Sequence, residues 1–531
     1  MYTNCLKVSK SWRQLTLDGE LWQDMHLDSF PTLPRSVVVR LSETAGPFVK
    51  SLDLSGNSTL PSHAFDKMIK QMARPWTQLT ALKLRGCTFV LTSSLHNVLL
   101  QSPSLRNLCV RGIREVLNDT LIILGSSCPE LESLDIRQCS GLDAGGLYSM
   151  AEAARDRGGV LRLKSLLISG LKFVNDRTMS MLGEVTPFLE VLDLSYSRHL
   201  HNSALEAFVA CDVDTSYPSF PTVLLHASEV GRDSANGPRK YRRRVTKLRH
   251  LNLSSCRLLT DTVCSNLAHS VPELEFLELA GLGEDLKDEG LCRLLATTPK
   301  IKRLDLEDAT ALTDGVLAAL TPPSSSTEDV DWDSITGHAL EQLVMSHVRE
   351  VTDSAMQLLI RRCKRLTVLE VDNTRLSGST LQLFVRKTRK RQIANPRVSF
   401  VDCRNVSESL VKDISASIRP RLGWRAYDAR HLMYLDNRDE DIESLGVGQD
   451  ECDERRVVVK TYYSWQTVDA VCAALEKKKK AASRKMFLAT AADFDGTGRG
   501  RWWTPIGGRR SGGNPPPSPS DLNSGEGCTI M

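Results

Sequence analysis

Leucine-like residues recur along this chain in a six-residue pattern, apolar-x-x-apolar-x-apolar, that appears twelve times between residues 49 and 403. Five of the eleven intervals between patterns are 26 residues and one is 27, so we interpret the longer ones as containing insertions. The patterns begin at Val49, Leu79, Leu105, Leu131, Leu163, Leu189, Leu248, Leu274, Ile301, Leu340, Leu366 and Val398. A fixed period of this length predicts a stack of similar units, each packed against its neighbours, rather than one central core.

Each pattern predicts a short strand, and the residues that follow it carry the signals of a helix. Asn-Asp or Thr-Asp precedes an apolar run in five repeats, which is typical of a helix N-terminus. These pairs begin at Asn118, Asn175, Thr260, Thr313 and Thr352. One strand and one helix per repeat predict an α/β solenoid with a parallel sheet on its concave face. Twelve strands about 4.8 Å apart make a wall roughly 55 Å long, which suits a protein or an extended peptide better than a metabolite.

The residue between the last two anchors of each pattern is expected to point outward from the concave wall. Seven of these twelve positions are acidic, and we take them as candidate partner-binding residues: Asp53, Asp135, Asp193, Glu278, Asp305, Glu370 and Asp402. One interpretation is a stripe that attracts a basic segment of a partner. The other, which we favour at this point, is that an acidic residue merely suits this strand position.

The composition of the chain argues against nucleic-acid binding, a membrane span and a zinc or redox site, but it does not identify a function. The formal charge of +4 is small for 531 residues, so it gives no whole-protein argument for nucleic acid, and nucleic acid is not an expected partner. The sequence contains no run of 18 apolar residues, which is the length that would predict a membrane span. The cysteines include no C-x-x-C pair, which argues against a zinc or redox site. Five of them lie in register with the repeats and are expected to be buried structural thiols: Cys87, Cys128, Cys139, Cys256 and Cys363.

Two insertions interrupt the repeats, at residues 211–247 and 321–336. Both are polar and rich in Pro or Ser, so we expect exposed, disordered loops. The first ends in a basic run, Arg239-Lys240-Tyr241-Arg242-Arg243-Arg244. Such a run could serve nuclear import or contact a phosphate, but solvated loop charge is the favoured interpretation.

Residues 5–27 predict two short amphipathic helices with Trp12 and Trp22 as large apolar anchors. The run Val8-Ser9-Lys10-Ser11-Trp12-Arg13, followed by Leu21-Trp22, resembles the second half of an F-box, which we place at residues 1–30. The repeats, residues 45–410, resemble the cysteine-containing leucine-rich repeats that often follow an F-box. The Leu-Pro-x-Glu helix of the first half is absent, and we expect that the gene model starts late; a form that has lost autonomous adaptor binding is the alternative.

This resemblance implies a substrate receptor of an SCF-type cullin-RING ubiquitin ligase. Val8, Trp12, Leu21 and Trp22 would contact a Skp-type adaptor, while the solenoid captures a protein target. The receptor itself performs no covalent chemistry and needs no cofactor or metal. A repeat scaffold that regulates a partner without any ligase is the second hypothesis.

The residues after the repeats predict a cap and a tail. Residues 419–485 contain a strand-like run and a basic helix, and they are expected to cover the open end of the solenoid. Residues 486–531 are predicted to be disordered and end in a C-a-a-X signal at Cys528, with the terminal Met favouring a farnesyl group. Lys477, Lys478, Lys479 and Lys480 could add electrostatic membrane attraction. We therefore expect a cytoplasmic protein that associates with membranes, with the nucleus as the alternative location.

One segment imitates an enzyme motif. Asp493-Phe494-Asp495-Gly496-Thr497 matches the nucleophile motif of haloacid-dehalogenase-type phosphatases, but only 34 residues follow it, too few for the required α/β domain. No P-loop, H-E-x-x-H or G-x-S-x-G pattern occurs. The sequence therefore predicts a binding protein without a small-molecule substrate.

Overall fold

The computed structural model describes residues 9, 11, 19–28, 48–56, 78–211, 221–232, 240–323, 335–418 and 455–461. All of them lie in one compact unit, Met1–Val468, and the second unit, Asp469–Met531, falls outside the described ranges. Within these ranges, no helix is long and apolar enough to cross a bilayer.

Fourteen short strands form one parallel sheet that runs the length of the described solenoid, and two further strands form a separate hairpin. The strands are β1 Asp24–His26, β2 Ser51–Asp53, β3 Ala81–Lys83, β4 Asn107–Cys109, β5 Ser133–Asp135, β6 Ser165–Leu167, β7 Val191–Asp193, β8 Thr222–His226, β9 Lys240–Arg244, β10 His250–Asn252, β11 Phe276–Glu278, β12 Arg303–Asp305, β13 Gln342–Val344, β14 Val368–Glu370, β15 Arg397–Phe400 and β16 Val458–Thr461. The hairpin consists of β8 and β9, so β7 pairs directly with β10 across the insertion. The predicted α/β leucine-rich-repeat solenoid is confirmed.

Helices follow the strands on the other layer and pack against one another in chain order. They are α1 Thr92–Leu100, α2 Asn118–Ser127, α3 Ala144–Asp156, α4 Asp176–Val185, α5 Asn202–Val209, α6 Asp261–Leu267, α7 Asp288–Leu295, α8 Asp314–Leu320, α9 Asp353–Arg362, α10 Gly378–Lys390 and α11 Glu408–Asp413. Short 3-10 turns occupy Gly19–Trp22, Ala227–Val230, Gly283–Asp285 and Ser415–Ser417. The leucine anchors of the strands and the apolar faces of these helices share one continuous buried layer.

The Thr-Asp and Asn-Asp pairs cap helices and also form hydrogen bonds between neighbouring repeats. Thr313 caps α8 by accepting the N–H of Gly315, and its own N–H donates to Asp288 of the preceding helix at 2.9 Å. Thr352 likewise caps α9, while its N–H donates to Asp314 at 2.8 Å. Each pair therefore caps its own helix and joins it to the helix before or after it.

In the repeat of α2 the predicted cap is one residue out of place. The helix begins at Asn118 itself, so Asn118 cannot be its N-cap. The Asn118 amide instead bonds the next repeat, donating to Asp143 at 2.9 Å and accepting the N–H of Asp143 at 3.2 Å. Asn118 therefore still links neighbouring repeats, although it does not cap α2.

The in-register cysteines are buried hydrogen-bond donors, as expected of structural thiols. The Sγ atoms of Cys87, Cys139 and Cys256 lie 3.1–3.2 Å from the carbonyl oxygens that close the strand of the preceding repeat. Burial raises the pKa of Cys128 and of Cys363 to about 12. These thiols therefore stay protonated at neutral pH and are poor nucleophiles.

The sheet extends one strand beyond the predicted repeats at each end. At the start, Asp24–His26 is a strand where we expected a helix, because Met25 and Leu27 alternate inward with the exposed His26 and continue the core. At the other end, Val458–Thr461 pairs with β15. The predicted strand-like run of the cap thus contributes the last strand of the sheet.

The twelfth repeat is shifted by three residues relative to the predicted alignment. Val398 pairs with Leu369, the second anchor of its neighbour, and Glu370 pairs with Ser399. Asp402 consequently lies in the turn after β15, at a positive φ of 57°, and not on the concave wall. The prediction for Asp402 is wrong because the preceding interval contains three extra residues, which the 26-residue period does not reveal.

Part of the first insertion forms a hairpin. Its strands β8 and β9 are antiparallel, and they pack on the C-terminal ends of α4 and α5. Arg243 is only 1% exposed and pairs with Glu206 at 2.9 Å, while Arg244 donates to the carbonyl of Phe208 at 3.0 Å. Solvated loop charge is therefore the wrong interpretation for these two arginines, since helix ends and Glu206 compensate their charge.

Candidate partner-binding surface

The acidic row of the concave wall is more covered than expected. Asp53, Asp135 and Asp193 are only 7–9% exposed. Each accepts the backbone N–H two residues further on, at 3.0–3.2 Å, where the strand gives way to the turn. Asp305 makes the same bond to the N–H of Glu307. A short acidic or amide side chain at this position thus stabilises the end of the strand, which gives the favoured, structural interpretation a physical cause.

Neighbouring cations neutralise the N-terminal part of this row. Lys83 lies 3.5 Å from Asp53, and Arg137 makes a two-pronged contact to Asp135 at 2.8 and 2.9 Å. The same Arg137 reaches Asp193 at 3.8 Å. Burial opposes ionisation of Asp135, but the hydrogen bonds and charge of Arg137 outweigh it and lower the pKa of that carboxyl.

The C-terminal part of the wall has more carboxylates than cations. His250 and Asn252 lie 3.4 and 2.6 Å from Glu278, and the contact with His250 and the charge of Arg303 lower the pKa of Glu278. Arg303 lies 3.8 Å from Glu278 and 3.7 Å from Asp305. Burial raises the pKa of Asp305 and of Glu307, and the charges of neighbouring carboxylates add to the shift. Glu370 has one cation nearby, Arg397, at 3.5 Å.

The edge where the strands begin, which we call the strand-start edge, carries a ladder of alternating charge. The residue after the first anchor is alternately basic and acidic over eight consecutive strands of the sheet: Arg106, Glu132, Lys164, Glu190, Arg249, Glu275, Lys302 and Glu341. Glu132 lies 2.8 Å from Lys164, and Glu275 lies 2.5 and 2.6 Å from Arg249 and Lys302. Reading the sequence in repeat register would have found this ladder.

The edge where the strands end, the strand-end edge, is different. Three consecutive repeats, those of β6, β7 and β10, present a cation followed by an apolar or aromatic residue at the same turn position: Lys172-Phe173, Arg198-His199 and Arg257-Leu258. All six residues are exposed. Within the described part of the chain, none of the three cations has a carboxylate within ion-pair distance. Sequence reasoning missed this set because it followed the strand anchors and not the turns.

A family profile described as "Leucine Rich repeat" matches residues 246–268, which include β10 and all of α6. The profile matches one of the repeats of this chain, and the parallel-sheet solenoid agrees with it in fold. It is 23% identical over 282 residues to Lysine-specific demethylase 2B of Mus musculus, covering 50% of this chain and 16% of the relative. It is 25% identical over 146 residues to F-box protein SKIP1 of Arabidopsis thaliana, covering 25% and 47%.

The leucine-rich-repeat chain thus spans less than half the length of either curated relative. Among solved structures, the Rad7 and Elc1 complex of yeast matches with 15% identity and a TM-score of 0.42, over 75% of this chain and 92% of that chain. The resemblance to F-box leucine-rich-repeat proteins is confirmed.

The structure places half of the predicted adaptor contacts. Leu21 is 57% exposed on the 3-10 turn Gly19–Trp22, whereas Trp22 packs partly against the first repeats of the solenoid. Val8 and Trp12 lie outside the described residues, as do Lys477 to Lys480 and Cys528. Of the two located residues, Leu21 is therefore the one available to a partner.

One group of side chains in the described ranges has metal-ligating atoms close together: His26, Asp28 and Asp53. Asp53 already accepts the N–H of Ser55 and faces Lys83 at 3.5 Å. A cation would have to compete with that ammonium group, so the arrangement fits a structural carboxylate better than a metal ligand.

Proposed function

We propose that this leucine-rich-repeat chain is the substrate-recognition subunit of an SCF-type cullin-RING ubiquitin ligase and performs no catalysis itself. Similarity to an F-box protein and the exposed Leu21 just before the first strand support this proposal. In this role the N-terminal segment contacts a Skp-type adaptor, and the repeat surface holds a protein target. Tethering raises the concentration of the target near the ubiquitin-loaded enzyme, so no reactive group is required of the receptor.

The observation that carries the proposal is the order of the elements along the chain. An exposed apolar side chain lies one turn before the strand that opens a long parallel sheet, so a docked adaptor would contact the first repeat and leave the rest of the concave face open. A scaffold that binds a partner without any ligase shares the repeat surface but needs no adaptor contact at Leu21.

Adaptor capture separates the two functions. The immobilised full-length protein should retain a purified Skp-type adaptor. Leu21→Asp should reduce this retention about tenfold, because the substitution would bury a carboxylate in an apolar interface. The matched control is Leu224→Asp on β8, since both leucines are 57% exposed. Undiminished retention by Leu21→Asp, or no retention by the unmodified protein, would favour the scaffold.

A further inference from the structure

The strand-end edge contains one set of side chains that the fold itself does not use. We define the basic–apolar rim as Lys172, Phe173, Arg198, His199, Arg257 and Leu258. The three cations form one row along consecutive turns, and the three apolar or aromatic side chains form a second row beside it. Phe173 is 60% exposed and Leu258 is 43% exposed, so neither contributes much to the core.

Phe173 has an unusual backbone for an exposed aromatic residue. Its φ is 60°, in the left-handed region that bulky side chains rarely adopt. Most other non-glycine residues with positive φ in this edge occupy the repeated turn position two residues after the last anchor, as Tyr196 does. Phe173 lies outside that position, and its ring stacks on His199 with centroids 5.2 Å apart and planes 13° apart. The backbone thus holds an aromatic pair on the surface, where strain is characteristic of binding sites.

The cations of the rim differ from those elsewhere on the same edge. Arg349, Arg375 and Arg404 occupy the equivalent turn position in the repeats of β13, β14 and β15. Arg375 faces Glu350 at 3.3 Å, and the pocket around Arg349 and Arg375 also contains Glu284 and Asp308. In the rim, none of the three cations has a carboxylate within ion-pair distance in the described ranges, and each is followed by an apolar or aromatic residue: Phe173, His199 and Leu258. The charge of the rim is therefore uncompensated, and apolar surface lies directly beside it.

We infer that the basic–apolar rim binds an extended acidic segment of a protein partner, in which acidic and apolar residues alternate. Side chains of an extended chain point alternately to opposite sides, so one side can face the cation row and the other the apolar row. Same-side residues repeat about every 6.7 Å in such a chain. The ring centroids of Phe173 and His199 lie 5.2 Å apart, which is shorter than this peptide repeat. In the cation row, the long and flexible Lys and Arg side chains can spread along the row to match the peptide. The inference deepens the proposed receptor function and rests on it for the partner being a protein target.

The test measures fluorescence anisotropy of a labelled, alternating Glu-Leu peptide of about eight residues, added to the full chain. The expected result is saturable binding that weakens as salt is raised. The triple variant Lys172→Ala, Arg198→Ala, Arg257→Ala should bind about tenfold more weakly or worse. Phe173→Ala should also weaken binding while leaving its salt dependence unchanged, because it removes apolar contact and no charge.

The matched control is the triple variant Arg349→Ala, Arg375→Ala, Arg404→Ala, which removes the same number of cations from the same turn position. It should bind the peptide within about twofold of the unmodified chain. Equal weakening by both triple variants would overturn the inference, because the effect would then be one of overall charge.

A second outcome would also overturn the inference: tight binding of a single-stranded uridine oligonucleotide of about twelve nucleotides that depends on the rim cations, with no binding of the peptide. Neither measurement involves the adaptor. Peptide binding without adaptor capture would support the rim as a binding site and contradict the ligase proposal. Adaptor capture without peptide binding would support the ligase proposal and contradict the inference about the rim.

Discussion

Lysines and arginines of the same repeats are used differently at the two edges of the sheet. Lys164 and Arg249 precede β6 and β10, and each contacts a carboxylate of a neighbouring repeat. Lys172 and Arg257 follow the same two strands, and neither has such a partner in the described structure. Residue type and exposure are alike at the two edges. What differs is the sign of the charge in the adjacent repeat.

This difference follows from the short, fixed distance between repeats. Strands about 4.8 Å apart bring equivalent side chains of neighbouring repeats within reach of one another. Where signs alternate, as at the strand-start edge, the three inner carboxylates Glu132, Glu190 and Glu275 each lie between two cations, and the ladder supports stacking. Where cations follow one another, as at Lys172, Arg198 and Arg257, they repel and need an external anion. Whether a cation at a repeated position stabilises the fold or is available to a partner therefore depends on the charge at the equivalent position in the adjacent repeats.

The largest expected effect is in the hairpin of the first insertion, where cations are neutralised by the fold as they are at the strand-start edge. Arg243→Ala should lower the free energy of unfolding by about 2–4 kcal/mol, because it leaves Glu206 with less compensation and opens a cavity on α5. Arg232 also contacts Glu206, which keeps the loss below that of an isolated buried pair. Urea denaturation monitored by circular dichroism measures the change.

Lys240→Ala is the control for that variant, since Lys240 is exposed on the same hairpin. It should change the unfolding free energy by less than about 0.5 kcal/mol. If Arg243→Ala were as stable as Lys240→Ala, the hairpin charges would not be part of the folded framework.

A smaller effect is expected within the ladder itself. Burial alone would raise the pKa of Glu275, but hydrogen bonds from Lys302 and Arg249 outweigh it and lower it. A carboxyl with a depressed folded-state pKa adds stability above its unfolded value of about 4.3 and loses it as pH falls through the folded value. Glu275→Gln should therefore cost roughly 0.5–1 kcal/mol near pH 7, where solvent screens the pair, and nothing at pH 2.

The measurement is the urea midpoint between pH 7 and pH 2. Glu284→Gln at the strand-end edge is the control, because the Glu284 side chain is exposed there. Its midpoint should match that of the unmodified chain at every pH. A Glu275→Gln loss that persisted unchanged at pH 2 would show that shape and not charge matters at this position.

The repeat pattern was enough to predict the solenoid, eleven of its strands in the correct register and the buried cysteines, because each depends on residues within one period. Features that depend on contacts between repeats were not predicted from single segments. The register of Asp402 required the length of the preceding loop. The burial of Arg243 required Glu206, and the isolation of Arg198 required the residues of both neighbouring turns. Strand β16 lacks the leucine pattern, whereas Trp22, Met25 and Leu27 give β1 the same spacing with a leucine only at its last position. Both strands pair with an open end of the sheet, which offers unpaired backbone groups.

Comparison of two double variants tests the central claim most directly. Lys164→Ala with Arg249→Ala removes two cations from the strand-start edge of the β6 and β10 repeats, and Lys172→Ala with Arg257→Ala removes two from the strand-end edge of the same repeats. In urea denaturation, the first pair should lower the midpoint, and the second should leave it unchanged while weakening binding of the acidic peptide. Equal midpoints for the two variants would contradict the division of the sheet into a self-neutralised edge and a partner-binding edge.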